Sequence, residues 1–218
     1  MNKLFGRIFD LIYPPKCVFC EKVLKSGDFC ENCAKELPYT KGDAVYQRFP
    51  FVAKCFSPLY YKDKVREAVI RCKFGGRQSY SSRFAAIMSE CAENNLDCGG
   101  IDMISYIPLG KKRYRQRGYN QSELIARHIA AEVFVPCVDT LVKIRDNPAQ
   151  SGIKDRAKRA KNVAGAYEVK DAGLVRGKTI LLVDDVVTTG ATLSECARVL
   201  SKAGAGRIYA VTLARRDD

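Results

Sequence analysis

Two adjacent carboxylates, Asp184 and Asp185, stand between an apolar run at 180–183 and a hydroxyl-rich segment at 188–192. The apolar run indicates a buried strand of a parallel sheet that ends at the carboxylates. An amphipathic segment follows and indicates a helix. Because backbone N–H groups and hydroxyls at a helix N-terminus attract anions, the segment 188–192 predicts a phosphate-binding loop.

The two carboxylates need a role other than phosphate binding, since they would repel a phosphate placed on them. Hydrogen bonds to the two vicinal hydroxyls of a ribose suit them, and Gly190 allows the backbone to approach an anion closely. The pair and the loop together predict a ribose 5-phosphate site. An acidic pair can also be a solvated strand end or a metal site, but neither alternative accounts for the hydroxyl-rich loop.

Two Cys-x-x-Cys motifs lie near the start of the chain, at Cys17 and Cys20 and at Cys30 and Cys33. Four thiolates on two short turns suit a closed, structural Zn²⁺ site, whereas a redox motif needs only one pair in a βαβ context. In a module this small the metal contributes on the order of 10 kcal/mol to folding. The other cysteines are interpreted as buried small apolar residues; they are Cys55, Cys72, Cys91, Cys98, Cys137 and Cys196.

A basic segment at 109–118 follows a strand predicted over 103–107. In open α/β sheets, ligands bind at the carboxyl ends of the strands, so Lys111, Lys112 and Arg113 are candidates for binding pyrophosphate in a loop. The next helix begins at a predicted capping box formed by Asn120 and Glu123. The long polar stretch 143–165 is interpreted as a lid.

The alternation of strands and helices predicts an α/β fold, a mostly parallel twisted sheet flanked by helices, with a small N-terminal zinc ribbon. Further strands are expected near 55–61, 138–142, 167–169 and 207–213, and helices at 64–72 and 81–94. The 218 residues divide into an N-terminal helix and zinc-ribbon module at 1–50 and a larger domain at 51–218. The net charge of +13 favours anionic partners.

Residues 1–12 predict an amphipathic helix packed on the body; peripheral membrane association is the less favoured alternative. No secretory leader or transmembrane segment is apparent, so we expect a cytoplasmic protein with reduced thiols.

The segment around the acidic pair resembles the phosphoribosyl pyrophosphate (PRPP) motif of type I phosphoribosyltransferases, and the whole chain resembles the ComF (competence protein F-like) family. The resemblance rests on the cysteine quartet, on Ile107-Pro-Leu-Gly-Lys-Lys-Arg113 running into Arg117-Gly-Tyr-Asn-Gln121, on Gln150, Arg156 and Asn162-Val-Ala-Gly-Ala-Tyr167, and on the PRPP motif.

The resemblance implies that PRPP binds with Mg²⁺, with Asp184 and Asp185 as the catalytic pair. The PRPP contacts implied are these two residues with Leu109, Gly110, Lys111, Lys112, Arg113, Val187, Thr188, Thr189, Gly190, Ala191 and Thr192. The lid would contribute Arg145, Gln150 and Arg156.

In the ComF family this fold implies a role in natural transformation, in which single-stranded DNA is handled in the cytoplasm beside a DNA-translocating helicase. Two alternatives stay open: nucleobase salvage or amido-phosphoribosyl transfer, and a non-catalytic PRPP-sensing protein that holds DNA with its basic segments and with Tyr114 and Tyr119. In salvage phosphoribosyltransferases a segment called the hood holds the nucleobase against the sugar. This chain ends soon after its last strand, so we expect no C-terminal hood, and any acceptor pocket must come from residues before Asp102.

Overall fold

The computed structural model describes residues 14–146 and 156–217. Its strands are β1 (Tyr46–Phe49), β2 (Val52–Phe56), β3 (Leu59–Tyr60), β4 (Met103–Tyr106), β5 (Leu141–Lys143), β6 (Tyr167–Val169), β7 (Thr179–Val187) and β8 (Arg207–Arg215). Its α-helices are α1 (Glu31–Glu36), α2 (Asp63–Phe74), α3 (Tyr80–Glu93), α4 (Lys111–Arg117), α5 (Gln121–Val133), α6 (Arg156–Val163), α7 (Ala172–Val175) and α8 (Ala191–Lys202).

The main sheet has the strand order β1-β2-β8-β7-β4, and β3 also pairs with β8. All of these pairings are parallel except the antiparallel pair of β1 and β2, which confirms the predicted mostly parallel α/β fold. The sheet begins at Tyr46, before the boundary expected after residue 50, because β1 pairs with β2. The strand expected at 138–142 forms instead at Leu141 and pairs with β6 in a separate two-stranded sheet.

The order of the strands reverses between β4 and β7. Ile104 of β4 pairs with Leu181 of β7 on one edge and bridges to Cys137 on the other. The chain therefore leaves β4 in one direction, passes through α5 to Cys137, and later returns to β7 on the opposite side. Such a reversal opens a crevice at the carboxyl ends of the two strands, where ligands bind in open α/β sheets.

The central strand β7 is buried on both faces, as its apolar sequence predicts. Leu181 and Val183 lie in a core cluster with residues of α2, α3 and α5, whereas Ile180 and Leu182 lie in a second cluster with α8. This alternation follows from the two-residue period of a strand. The two cores hold β7 rigidly, and thereby hold the carboxylates near its end.

Helices α2 and α3 confirm the predictions at 64–72 and 81–94, but two other local predictions were wrong. Strand β7 continues through the acidic pair to Val187, because its backbone stays paired with β8 as far as Arg215. The basic segment expected as a loop is the helix α4, since Lys, Arg and Gln favour helices and Gly118 ends the helix with φ of 77°.

The helix α5 begins at Asn120 as predicted, but the capping box does not form. The Asn120 side chain accepts a hydrogen bond from the Ser122 backbone N–H at 3.1 Å. Glu123 forms an ion pair with Arg127 at 2.9 Å, one turn later, instead of reaching back to Asn120. In the described part of the chain, no helix is both long and apolar enough to cross a bilayer.

Candidate functional site

The Asp184 carboxylate is held by two donors at the carboxyl end of β7. Its Oδ1 accepts hydrogen bonds from the Ser122 hydroxyl at 2.9 Å and from the Asp185 backbone N–H at 2.9 Å. Ser122 belongs to the first turn of α5, so the start of this helix is fixed against the end of β7.

The Asp185 carboxylate is almost fully buried, with 7% of its side chain exposed, and it has two side-chain partners. Lys73 Nζ, near the end of α2, lies 2.8 Å from it, and Gln121 Nε2 donates to it at 2.7 Å. Lys73 was not expected from the sequence. The sequence around Lys73 shows only that the residue precedes the two glycines that end α2, and it does not indicate a partner in β7.

The segment Arg117-Gly-Tyr-Asn-Gln-Ser122 supports both carboxylates. Arg117 donates to Gln121 Oε1 at 2.8 Å and lies over the Phe74 ring at 4.6 Å, while Asn120 donates to the carbonyl of Ile107 at 3.0 Å. The Tyr119 hydroxyl donates to the carbonyl of Cys72. The segment therefore ties the ends of β4, β7 and α2 together.

This arrangement corrects one expectation about DNA contacts. Tyr119 is only 7% exposed and does not present a face for base stacking, whereas Tyr114 is 48% exposed. Arg117 belongs to the support of the acidic pair, since two hydrogen bonds link it through Gln121 to Asp185.

Burial, and then the neighbouring carboxylate of Asp185, raise the pKa of Asp184 to about 7. Burial also lowers the pKa of Lys143, with a smaller effect from Arg113. The site thus contains a carboxyl group that exchanges its proton near neutral pH.

The loop that joins β7 to α8 encloses a small pocket of about 30 Å³, lined by Asp184 and by residues of the segment from Val186 to Leu193. Gly190 is the N-cap of α8 with φ of 72°. A Cβ at Gly190 would lie 2.1 Å from a carbon of the Phe49 ring, so this position requires glycine for both its backbone and its packing. The pocket, at the N-terminus of a twelve-residue helix, has the chemistry of a phosphate site.

The predicted pyrophosphate residues follow β4, which is the neighbour of β7 in the sheet, with Tyr106 paired to Val183. Gly110 has φ of −70° and is the N-cap of α4. A Cβ there would meet the Asp146 carboxylate, which also accepts from the Lys112 backbone N–H at 3.3 Å. Lys111 and Lys112 are exposed.

Only part of the predicted lid falls within the described residues. Arg145 donates to the carbonyl of Ala164 at 2.6 Å, which joins the two ends of the stretch 143–165. Gln150 and the side chain of Arg156 lie outside the described residues, and α6 covers the last part of the stretch.

The four sulfur atoms of Cys17, Cys20, Cys30 and Cys33 all lie within 4.8 Å of one another, and Cys20 and Cys30 are 3.6 Å apart. A tetrahedral zinc with Zn–S bonds of about 2.3 Å requires sulfur separations of about 3.8 Å. The cluster therefore fits a structural Zn²⁺.

The zinc-ribbon module packs on α2 and α3. Arg71 of α2 donates to the carbonyl of Phe19 at 2.6 Å and to that of Val18 at 3.3 Å. Phe19 is fully buried and packs against Phe84, and Arg83 forms an ion pair with Asp28. The ribbon thus shares its core with the α/β domain.

Among the other cysteines, Cys55, Cys72, Cys91 and Cys196 are buried, as predicted. Cys98 and Cys137 are partly exposed, so the prediction was wrong for these two.

Two family models match the chain. One, described as a phosphoribosyl transferase domain, matches residues 120–218, and the other, described as a double zinc ribbon domain, matches residues 8–44. Together with the parallel sheet and the acidic pair, they define a protein with a phosphoribosyltransferase-type α/β domain and an N-terminal zinc ribbon.

The DNA utilization protein YhgH of Salmonella typhi is 32% identical over 208 residues, which cover 91% of this chain and 89% of that protein. Competence protein F of Haemophilus influenzae is 29% identical over 208 residues, covering 91% of this chain and 90% of that protein. The chain belongs to the ComF family.

Among solved structures, a glutamine PRPP amidotransferase from B. subtilis matches with a TM-score of 0.45 and 19% identity, covering 66% of this chain and 30% of that chain. That likeness is too remote to carry an argument.

We predict one zinc ion per chain, because residues 8–44 contain four cysteines and no histidine, which is enough for a single four-thiolate site. Elemental analysis of the reduced protein is expected to give about one equivalent of zinc. The Cys17→Ser variant is expected to lose the metal and to unfold at a lower temperature, whereas Cys98→Ser, outside the cluster, keeps it. Full zinc content in Cys17→Ser would contradict the assignment.

We also predict a pH dependence of stability from Asp184. The pKa of Asp184 is raised to about 7 in the folded chain, whereas its ordinary value is 3.8. Between these two pH values, Asp184 therefore keeps its proton in the folded chain and has lost it in the unfolded chain. The contribution to folding is therefore present at low pH and is lost as pH rises from about 4 to about 7. Urea unfolding is expected to show wild type losing up to about 1.4 kcal/mol per pH unit relative to Asp184→Asn. Parallel pH curves for the two proteins would contradict this.

Proposed function

We propose that this protein binds PRPP with Mg²⁺ at the crevice between β4 and β7. The observation that supports this most is the acidic pair, with each carboxylate oriented by side chains of α5, at the entrance of the phosphate-type pocket. The 5-phosphate lies on the loop 188–192, the ribose hydroxyls on Asp184 and Asp185, and the pyrophosphate beside residues 109–113.

The existing hydrogen bonds define what each carboxylate does. Lys73 and Gln121 bind and orient Asp185, so this carboxylate keeps a fixed direction. Ser122 orients one oxygen of Asp184 and leaves its other oxygen for a sugar hydroxyl. The donor set suits Mg²⁺, which is bound by one or two carboxylates together with substrate phosphates; the ion would supply charge neutralisation on the pyrophosphate.

Phosphoribosyl transfer is the second candidate function, favoured by the adjacency of the predicted sugar and pyrophosphate sites at β7 and β4. In this reaction the bond from the anomeric carbon to pyrophosphate breaks, and its electron pair leaves with the pyrophosphate. A lone pair of the acceptor forms the new bond to that carbon, and the proton of the acceptor goes to solvent. Release of pyrophosphate only when an acceptor is added would support transfer, and its absence would leave PRPP as a bound ligand.

We further propose that the protein acts in DNA uptake and handles single-stranded DNA in the cytoplasm beside a DNA-translocating helicase. Relatives in the family carry the names competence protein F and DNA utilization protein. The exposed Lys111, Lys112 and Arg115 of α4, with Lys161 of α6, offer cations that suit the phosphates of a single strand.

The PRPP proposal predicts that Asp184→Asn/Asp185→Asn loses PRPP affinity by about 100-fold or more, since hydrogen bonds to charged groups contribute about 1.5–3 kcal/mol each. Calorimetry with Mg²⁺ present measures this. The matched control is Asp139→Asn/Glu168→Gln, which removes two exposed negative charges at the β5–β6 sheet and is expected to bind PRPP normally. Wild-type affinity in the Asp184/Asp185 variant would refute the assignment.

The DNA proposal predicts weaker binding of an oligothymidylate to Arg115→Gln/Lys161→Gln. Removing one phosphate contact lowers the slope of log affinity against log salt by about 0.7 for a single strand, so the slope is expected to fall by about 1.4 for the double variant. Fluorescence anisotropy at two or more salt concentrations measures it. The control Arg176→Gln/Arg207→Gln removes two exposed charges at the opposite end of the sheet, one before β7 and one at the start of β8. No binding by wild type at low salt would contradict the proposal.

A further inference from the structure

A cleft of about 460 Å³ lies between β1 and the carboxyl ends of β7 and β8. Its walls include Gln47, Arg48 and Phe49 of β1, Thr189 of the phosphate loop, and Arg215 and Arg216 at the end of β8. The volume is in the range of small-molecule sites, about 300–1,000 Å³. The proposed PRPP contacts touch this cleft only at its border, at Thr188 and Thr189, and leave the rest of it without a role.

The cleft lies on the far side of β7 from the predicted pyrophosphate site. Strand β7 stands between β4, which leads to residues 109–113, and β8, whose Arg215 pairs with Val187. In the proposed binding mode, the ribose of PRPP lies on the acidic pair and its pyrophosphate points toward β4. The side of the anomeric carbon that faces away from the pyrophosphate is then directed toward the cleft. This placement rests on the proposed function.

The arginine side chains that line the cleft favour an anionic ligand. Within the described residues, no ion pair with a carboxylate involves Arg48, Arg215 or Arg216, although Arg215 donates to the carbonyl of Ala44 at 2.9 Å. The register of β1 against β2 shifts between Gln47 and Phe49, and Arg48, at this irregularity, lines the cleft. Guanidinium groups in such a setting suit a phosphate better than any neutral ligand.

The cleft also contains unused hydrogen-bonding atoms. Gln47 Oε1 and Thr189 Oγ1 are buried side-chain atoms without a hydrogen-bond partner in the described structure. Buried polar atoms are normally paired, and Thr189 Oγ1 lies where the proposed PRPP phosphate would bind, so Gln47 Oε1 is the atom left for the N–H group of a nucleobase. The wall that carries Gln47 is anchored, because Phe49 packs directly on Gly190 of the phosphate loop.

We propose that this cleft binds a nucleotide, with its phosphate on Arg48 and Arg216 and its base on Gln47, on the side of the ribose opposite the pyrophosphate. The nucleotide is either free or part of a single strand, since the two share the same chemistry. The β1–β2 hairpin, at the edge of the main sheet, is then the part of the chain that holds the nucleotide against the sugar site.

The test is calorimetry with thymidine 5′-monophosphate and, separately, with a short oligothymidylate, both in the presence of saturating PRPP and Mg²⁺. PRPP fills the phosphate loop, so the nucleotide then reports on the cleft alone. The variant Arg48→Gln/Arg216→Gln is expected to lose nucleotide affinity by about tenfold or more, while its PRPP affinity stays within about twofold. The control Arg176→Gln/Arg207→Gln, with the same change of charge outside the cleft, is expected to match wild type.

The two ligands distinguish a free nucleotide from a nucleotide within a strand. If Arg48→Gln/Arg216→Gln binds both ligands more weakly than wild type does, a free nucleotide is a sufficient ligand. If the variant binds only the oligothymidylate more weakly, the ligand is a nucleotide within a strand. Wild type that binds PRPP but neither nucleotide, or an arginine variant that binds nucleotide as wild type does, overturns the inference. If wild type gives no heat with PRPP, the proposed function fails instead, and the same nucleotide titrations without PRPP still decide the cleft.

Discussion

The structure depends on one constraint, the placement of two adjacent carboxylates, Asp185 buried and Asp184 partly buried, near the end of an inner strand. Asp184 and Asp185 repel each other, and burying either one costs free energy unless it is compensated. Lys73 and Gln121 compensate Asp185, and Ser122 with a backbone N–H compensates Asp184. The ends of α2 and β4 and the start of α5 therefore have to converge on β7, and the segment from Arg117 to Ser122 fixes that convergence.

The same constraint links the zinc ribbon to the site. Arg71 binds the backbone of the ribbon at Phe19, and two residues later in the same helix Lys73 pairs with Asp185. The four thiolates set the shape of the ribbon, the ribbon holds one face of α2, and α2 positions the cation that the buried carboxylate needs. The ribbon thus acts as a structural support of the crevice, which gives a physical reason for the two modules to occur in one chain.

The crevice is asymmetric in charge and shape. On the β4 side, α4 presents exposed cations beside the phosphate loop, and on the β8 side the β1 strand closes a cleft with three arginines. Both sides favour anions, in agreement with the net charge of +13. The acidic pair lies between them, so two basic sides flank a negatively charged centre.

Several features followed from the sequence by itself, because they depend on residues close together in the chain. The apolar run before Asp184 predicted the buried strand of a parallel sheet, and the spacing of Cys17, Cys20, Cys30 and Cys33 predicted the metal-type cluster. The local sequence pattern gave the wrong end for β7 and the wrong conformation for the segment 109–118. Strand β7 runs past the carboxylates because β8 continues beside it, and the basic segment at 109–118 is helical.

Only the tertiary structure decided which groups meet the acidic pair and where a second ligand would lie. Lys73 is 112 residues from Asp185, and Gln121 is 64 residues from it, so no spacing along the chain could indicate either contact. The same holds for Phe49 on Gly190, which brings the β1 strand against the phosphate loop and creates the cleft. The sequence determines local chemistry through residue type and short spacing, whereas the packing of α2, α5 and β1 on one strand end selects the partners of that chemistry.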